Sequence, residues 1–218
     1  VSSAVASAEV VFAHALRGEE CHLVAGTMAP VRLPVEDWTR RPDPGDLAIL
    51  AECRGPTLDI GCGPGRLTAE LAARGTPTLG IDVVAEAVGQ TRGRGGAALH
   101  RDVFARLPGD GRWSTALLAD GNIGIGGDPV ALLSRVRELL APVGRAVVEL
   151  APPGVAGARL LAELWCRCFR TPPFDWAVVG TDDIGRHAAG AGLVVEHVAH
   201  HSGGDGSADR WWAVLERA

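Results

Sequence analysis

Leu58-Asp59-Ile60-Gly61-Cys62-Gly63-Pro64-Gly65-Arg66, running on through LTAELAAR to Gly75, is the stretch on which the fold of this chain turns. The apolar run from Pro56 to Ile60 has the length and residue types of a buried strand. Leu67 and Leu71, one turn apart, open a helix directly after the glycines. The order is therefore strand, glycine loop, helix. Glycines at 61, 63 and 65 carry no Cβ, so the backbone can turn sharply, and a ligand can lie against the main chain and meet the amides at the helix start.

The spacing selects among ligands. A dinucleotide fingerprint needs G-x-G-x-x-G, but Arg66 stands where the third glycine belongs and Gly65 arrives one residue early. A Walker-type phosphate loop ends in lysine, and arginine accounts for all 21 basic side chains of this chain. The acidic residue followed by G-x-G-x-G, carried here by Asp59, Gly61, Gly63 and Gly65, resembles motif I of the class I S-adenosylmethionine (SAM) dependent methyltransferases. That resemblance implies an α/β fold, a doubly wound and mostly parallel seven-stranded sheet whose last strand is antiparallel. It also implies SAM as cofactor and S-adenosylhomocysteine as product.

Working outward, composition sets the frame. The 218 residues, 47% of them apolar, suit one α/β domain with a substantial core. A net charge of −5 and the absence of a basic run argue against a nucleic-acid partner. The apolar N-terminal stretch has no positive n-region and is interrupted by Glu9, so a secretion signal is not expected, and nothing later reads as a membrane span. Cys21, Cys53, Cys62, Cys166 and Cys168 are odd in number and lack metal-ligand spacing; reduced thiols in the cytoplasm, with no metal site, are expected. A monomer or homodimer acting on a small-molecule substrate is the expected state.

The second strand, Thr78 to Ile81, closes on Asp82, which lies 23 residues past Asp59. An acidic residue at that place in a doubly wound sheet is set to accept hydrogen bonds from a ribose diol. A short helix over Ala85 to Gln90 and a third strand over Ala97 to His100 follow. The resemblance implies that Asp102 receives the adenine amino group and that Val103 supplies an amide or an apolar wall; an Asp there is also a common turn former. The fourth strand, Ser114 to Ala119, ends in Asp120-Gly121-Asn122, where the family places the groups nearest the sulfonium. The tetrapeptide N-P-P-[YF] of many DNA and protein amino-methyltransferases is not present there. The cofactor-binding positions implied are thus Asp59, Gly61, Cys62, Gly63, Gly65, Asp82, Val83, Asp102, Val103, Asp120 and Gly121.

The flanks are less explicit. Residues 1–50 are read as an N-terminal helical cap and extended linker, with Trp38, Arg40 and Arg41 facing either the cofactor carboxylate, the substrate or solvent. Asp128-Pro129 opens a helix ending near Ala141-Pro142-Val143-Gly144, and strand five spans Arg145 to Leu150. Residues 152–180, carrying Trp165, Phe169, Phe174 and Trp176, are read as a lid insertion within the single domain 1–218. A helix over Asp182 to Ala191 precedes strand six (Leu193 to Val198), a glycine-rich hairpin loop and strand seven (Trp211 to Leu215). His14 and His22 are candidate bases, but no residue is assigned as catalytic. The function expected is methyl transfer to a small molecule, in secondary metabolism; the other reading is a SAM-binding protein without methyl transfer of its own.

Overall fold

The computed structural model describes residues 4–26, 29–167, 169–204 and 208–218. In chain order the elements are β1 (Ala4–Val5), α1 (Ala8–Leu16), β2 (Cys21–Ala25), β3 (Val31–Arg32), α2 (Val35–Thr39), α3 (Pro44–Ala51), β4 (Thr57–Ile60), α4 (Arg66–Ala73), β5 (Thr78–Asp82), α5 (Ala85–Gly93), β6 (Ala98–His100) and β7 (Trp113–Leu118). A 3₁₀ turn (Asn122–Gly124) leads to α6 (Pro129–Leu139), β8 (Leu140–Leu150), β9 (Ala158–Cys166), β10 (Phe169–Arg170), β11 (Phe174–Val178), α7 (Ile184–Gly190), β12 (Leu193–His201) and β13 (Arg210–Arg217).

Seven strands form the main sheet in the order β12-β13-β8-β7-β4-β5-β6. β4 to β8 pair in parallel, and β13 lies antiparallel between β12 and β8. Both faces of its centre are covered, because successive side chains point to opposite sides. Leu58, Ile60, Ala116, Leu118, Ala146 and Val148 enter one core with α6 and α7, while Leu117, Val147, Trp212 and Val214 enter the other with α3 and α4. The strands step outward from β4 to β6, then resume on the other side at β7. The crevice at the carboxyl ends of β4 and β7 is therefore the switch point, where open α/β sheets take ligands.

Residues 1–50 and 152–180 are more strand-rich than their local patterns suggest. α1 is present, with Ser7 capping it, but β2 pairs antiparallel with β9, bringing Cys21 opposite Cys166 and His22 opposite Trp165. With β1, β10, β3 and β11 these strands form a second, six-stranded sheet whose buried face packs on α1 through Val11, Leu164 and Cys166. Pairing across some 140 residues leaves no local periodicity to read. The expected α3-side linker is also ordered: Asp43 and Asp46 cap α3 reciprocally, each carboxylate accepting the other's backbone N–H at 2.8 and 3.0 Å, with Pro44 at the first helical position. Arg17 meets Glu86 and Arg94 donates to the Thr39 carbonyl, so this segment is seated on α5.

Cys21, Cys53, Cys62 and Cys166 are free thiols; Cys168, and the part of the hairpin loop at 205–207, lie outside the described residues. Among the described residues no helix is long and apolar enough to cross a membrane.

Candidate functional site

The glycine loop leaves β4 as the spacing requires, with Gly61, Gly63 and Gly65 all at positive φ. The N–H groups of Gly61 and Cys62 both donate to the Ile81 carbonyl, at 2.9 and 3.0 Å, which ties the loop to the neighbouring strand. A Cβ on Gly65 would stand 2.7 Å from the Thr91 backbone, so α5 can approach only a glycine there. Gly63 is the opposite case: nothing lies within 4 Å of where its Cβ would be, nor at Gly121, and the loop is open to a ligand at those points.

The four acidic residues at strand ends have distinct surroundings. Asp82 accepts the Gly63 N–H at 2.9 Å and the Val84 N–H at 2.8 Å, one on each carboxylate oxygen, and so fixes the loop; burial raises its pKa, against those backbone hydrogen bonds. A carboxylate has about four acceptor sites, so capacity remains for a ligand's hydroxyl. Asp59 is buried and turned back beneath the loop, where the Thr68 hydroxyl donates to it at 2.5 Å; burial pushes its pKa up to about 7. It positions α4 against the strand rather than facing the crevice. Asp102 is exposed and accepts the Phe104 N–H at 2.9 Å in a turn. Asp120 is the one non-glycine residue at positive φ (52°) among the described residues.

Cys62 contributes main chain. Its thiol is packed inward near the Thr91 hydroxyl, and burial raises its pKa well above the usual thiol range. Val83 is half exposed, its carbonyl accepting from His100 Nε2 at 2.7 Å. Val103 lies in the main core, with its carbonyl taken by Arg135; the exposed apolar neighbour on that loop is Phe104. Asn122 donates to the carbonyls of Ile60 and Gly61, both at 2.9 Å, joining the loop after β7 to the glycine loop.

An ionic floor joins elements that the sequence keeps far apart. Asp46 of α3, wholly buried, accepts from Arg66 Nη1, Arg210 Nη1 and, at 2.5 Å, Arg40 Nη1. Arg66 Nη2 reaches both oxygens of Asp120 at 2.7 and 2.6 Å. Arg210 pairs bidentately with Glu149 at 2.6 Å on each oxygen and touches Asp120 at 3.2 Å, while Glu149 also accepts the Asp120 N–H at 2.5 Å. With Asp43 on Arg40 at 2.8 Å, four carboxylates face three guanidinium groups. Burial lowers the Arg66 pKa, opposed chiefly by Asp120. Arg66 is thus the central cation of the site, and Arg40 meets Asp43 and Asp46, whereas Trp38 packs near Phe12.

A cavity of about 230 Å³ opens at this edge, between Asp120, Glu149, Ile123, Leu150, Trp176 and Val178. A Cβ on Gly124 would stand 2.2 Å from the Ala177 carbonyl and 2.6 Å from the Trp176 ring nitrogen, so that glycine lets β11 close over the 3₁₀ turn. A larger cavity, about 390 Å³, lies within residues 15–39 and includes none of the loop residues; chemistry favours the smaller one. His14 pairs with Glu19 and His22 with Glu20; neither lines the cavity at Asp120.

Residues 57–144 match the family model described as a methyltransferase domain. The whole chain is similar in fold to a SAM-dependent methyltransferase from Bacteroides fragilis solved with S-adenosyl-L-homocysteine, at 18% identity, covering 99% of this chain and 98% of that one, with a TM-score of 0.78. The CcbJ methyltransferase from Streptomyces caelestis (19% identity, 83% and 92% coverage, TM-score 0.63) is also similar. So is the 1,6-didemethyltoxoflavin-N1-methyltransferase from Burkholderia thailandensis (16%, 84% and 81%, TM-score 0.60). The match to a methyltransferase domain over residues 57–144, the strand order and the glycine loop together show a class I methyltransferase-like fold.

Proposed function

We propose that this domain transfers a methyl group from SAM to a small-molecule acceptor. The observation that carries the reading is the open glycine loop at the switch point, with its Gly63 amide held by the Asp82 carboxylate. SAM supplies a methyl group already made electrophilic by the sulfonium. Asp82 has acceptor sites left for a ribose diol, Val83 and Phe104 offer apolar surface for an adenine, and Gly61, Gly63 and Gly65 keep side chains out of the path of the amino-acid tail. Asp120 and Gly121 line the cavity, and the adjoining Asn122 bonds the Gly61 carbonyl, so an acceptor seated in the cavity would lie next to the transferring methyl.

The protein's task is then to orient a nucleophile and exclude water, which can lower a barrier by up to roughly 7–11 kcal/mol in ideal cases. β11 is one wall of the cavity, which supports residues 152–180, with 1–50, as the lid of a single domain. The net charge of −5 and the small cavity favour a small molecule over nucleic acid, and the free thiols favour the cytoplasm. A tailoring role in secondary metabolism is the setting we propose, and the similar fold of the 1,6-didemethyltoxoflavin-N1-methyltransferase, solved with its small-molecule substrate, lends it support.

The test is incubation of the protein with SAM carrying a deuterated methyl group and a metabolite extract. A product heavier by one labelled methyl, formed with S-adenosylhomocysteine, is expected. SAM binding without any labelled product would favour the second reading, a SAM-binding protein that transfers nothing. One observation favours that alternative: no His, Lys, Cys or Tyr lines the cavity among the described residues.

A further inference from the structure

We propose that the acceptor is a small amine or basic ring nitrogen, and that Asp120 is the residue that selects it. This rests on the methyltransferase reading above and adds the substrate class. The cavity at Asp120, about 230 Å³, falls below the roughly 300–1,000 Å³ of sites for drug-sized ligands, so it suits an acceptor of about one ring. Its walls are Ile123, Leu150, Trp176 and Val178, and its charged side chains are Asp120 and Glu149. No cation lines it among the described residues.

The neighbouring guanidinium groups cannot turn toward an anionic acceptor without giving up carboxylates. Arg66 is bound to Asp46 and Asp120, and Arg210 to Asp46, Glu149 and Asp120. Glu149 is itself engaged: both oxygens meet Arg210, and one also accepts the Asp120 amide. Asp120 differs. Its Oδ1 is shared by two arginines, its Oδ2 takes a single hydrogen bond from Arg66, and the side chain is 32% exposed. It therefore holds acceptor capacity facing the cavity. The local sum, four carboxylates against three guanidinium groups, leaves one negative charge to meet an ammonium or a polarised N–H. The apolar walls and the Trp176 ring take the rest of the molecule; the bound ammonium first gives one proton to solvent, its freed lone pair forms the N–CH₃ bond as the S–CH₃ bond of SAM breaks, sulfur keeps that electron pair as S-adenosylhomocysteine, and the product leaves as the methylated ammonium.

The experiment uses the full chain, first titrated with S-adenosylhomocysteine, then with benzylamine or benzoate, which share a ring and differ in the sign of their charge. Benzylamine is expected to bind at least tenfold more tightly than benzoate. Asp120→Asn should remove most of that preference, and Val178→Phe, which fills the cavity, should abolish benzylamine binding. Equal or tighter binding of benzoate, no binding of benzylamine, or an unchanged preference in Asp120→Asn overturns the proposal. The wild-type comparison stands alone if a variant fails to fold. Failure to bind S-adenosylhomocysteine overturns the methyltransferase reading instead, so the two failures are told apart at the first step.

Discussion

The glycine loop and the ionic floor meet at the same crevice but are built in opposite ways. The loop is contiguous, its parts at 59–65 tied to Asp82 through the Gly63 amide. The floor draws Asp46, Arg66, Glu149 and Arg210 from four elements and Asp120 from the loop after β7, with partners as many as 164 residues apart. The loop is made of backbone, whose conformation a short pattern of glycines encodes. The floor is made of long side chains, and their meeting depends on the whole sheet being assembled. A cofactor shared by many enzymes suits the first construction; a chain's own choice of acceptor suits the second.

The largest effect expected from breaking this contrast is at Asp46. Asp46→Ala leaves Arg66 and Arg210 buried without their shared partner, and removal of one member of a buried ion pair costs about 3–5 kcal/mol. Calorimetric unfolding should register the loss, with Asp46→Asn intermediate. A change below 1 kcal/mol would mean that the floor is no more than a surface network.

Asp59 comes next, and its effect depends on pH. Its folded pKa, about 7, lies above the value of about 4 for an unfolded Asp, so the folded chain holds more protons between those limits and stability falls as pH rises through them. Asp59→Asn keeps an acceptor for Thr68 without the charge. It should be more stable than the parent at pH 8, by on the order of 4 kcal/mol, with the advantage gone below pH 4. Urea unfolding at the two pH values checks this; a pH-independent difference would contradict it.

Asp82→Ala should weaken SAM binding by about 1.5–3 kcal/mol, roughly ten- to more than a hundredfold, through loss of the charged acceptor. Because the same carboxylate holds Gly63 and Val84, a drop in melting temperature should accompany it. Thr68→Val, which deletes the hydroxyl beneath the loop, should cost about 1–3 kcal/mol in stability by leaving Asp59 without that donor. Unaltered stability there would detach α4 from the loop's support.

The two halves also differ in how far they were legible. The order strand, glycine loop, helix and the closing antiparallel strand could be read because each has a local signal: glycine spacing, an apolar run, a hairpin. Asp82 was legible from its place at the end of β5. Arg66 was noticed only as the residue that breaks a dinucleotide fingerprint, yet it is the cation through which the glycine loop touches Asp46 and Asp120. Glu149, Arg210 and Asp46 carry no local signal, because an ion pair across a sheet leaves no trace in spacing. The second sheet was hidden for a related reason. Cys21–Ala25 and Ala158–Cys166 are strands because they pair with one another, and neither segment carries its partner in its own pattern. On the loop after β6 the Val103 side chain is buried and that of Phe104 exposed, a difference that spacing alone does not carry.

The most direct measurement is isothermal titration of the chain with SAM, with NADH as a control. The account predicts one SAM site per chain, competed by S-adenosylhomocysteine, and no heat from the nicotinamide. Binding of the nicotinamide, or the absence of any SAM site, would contradict it.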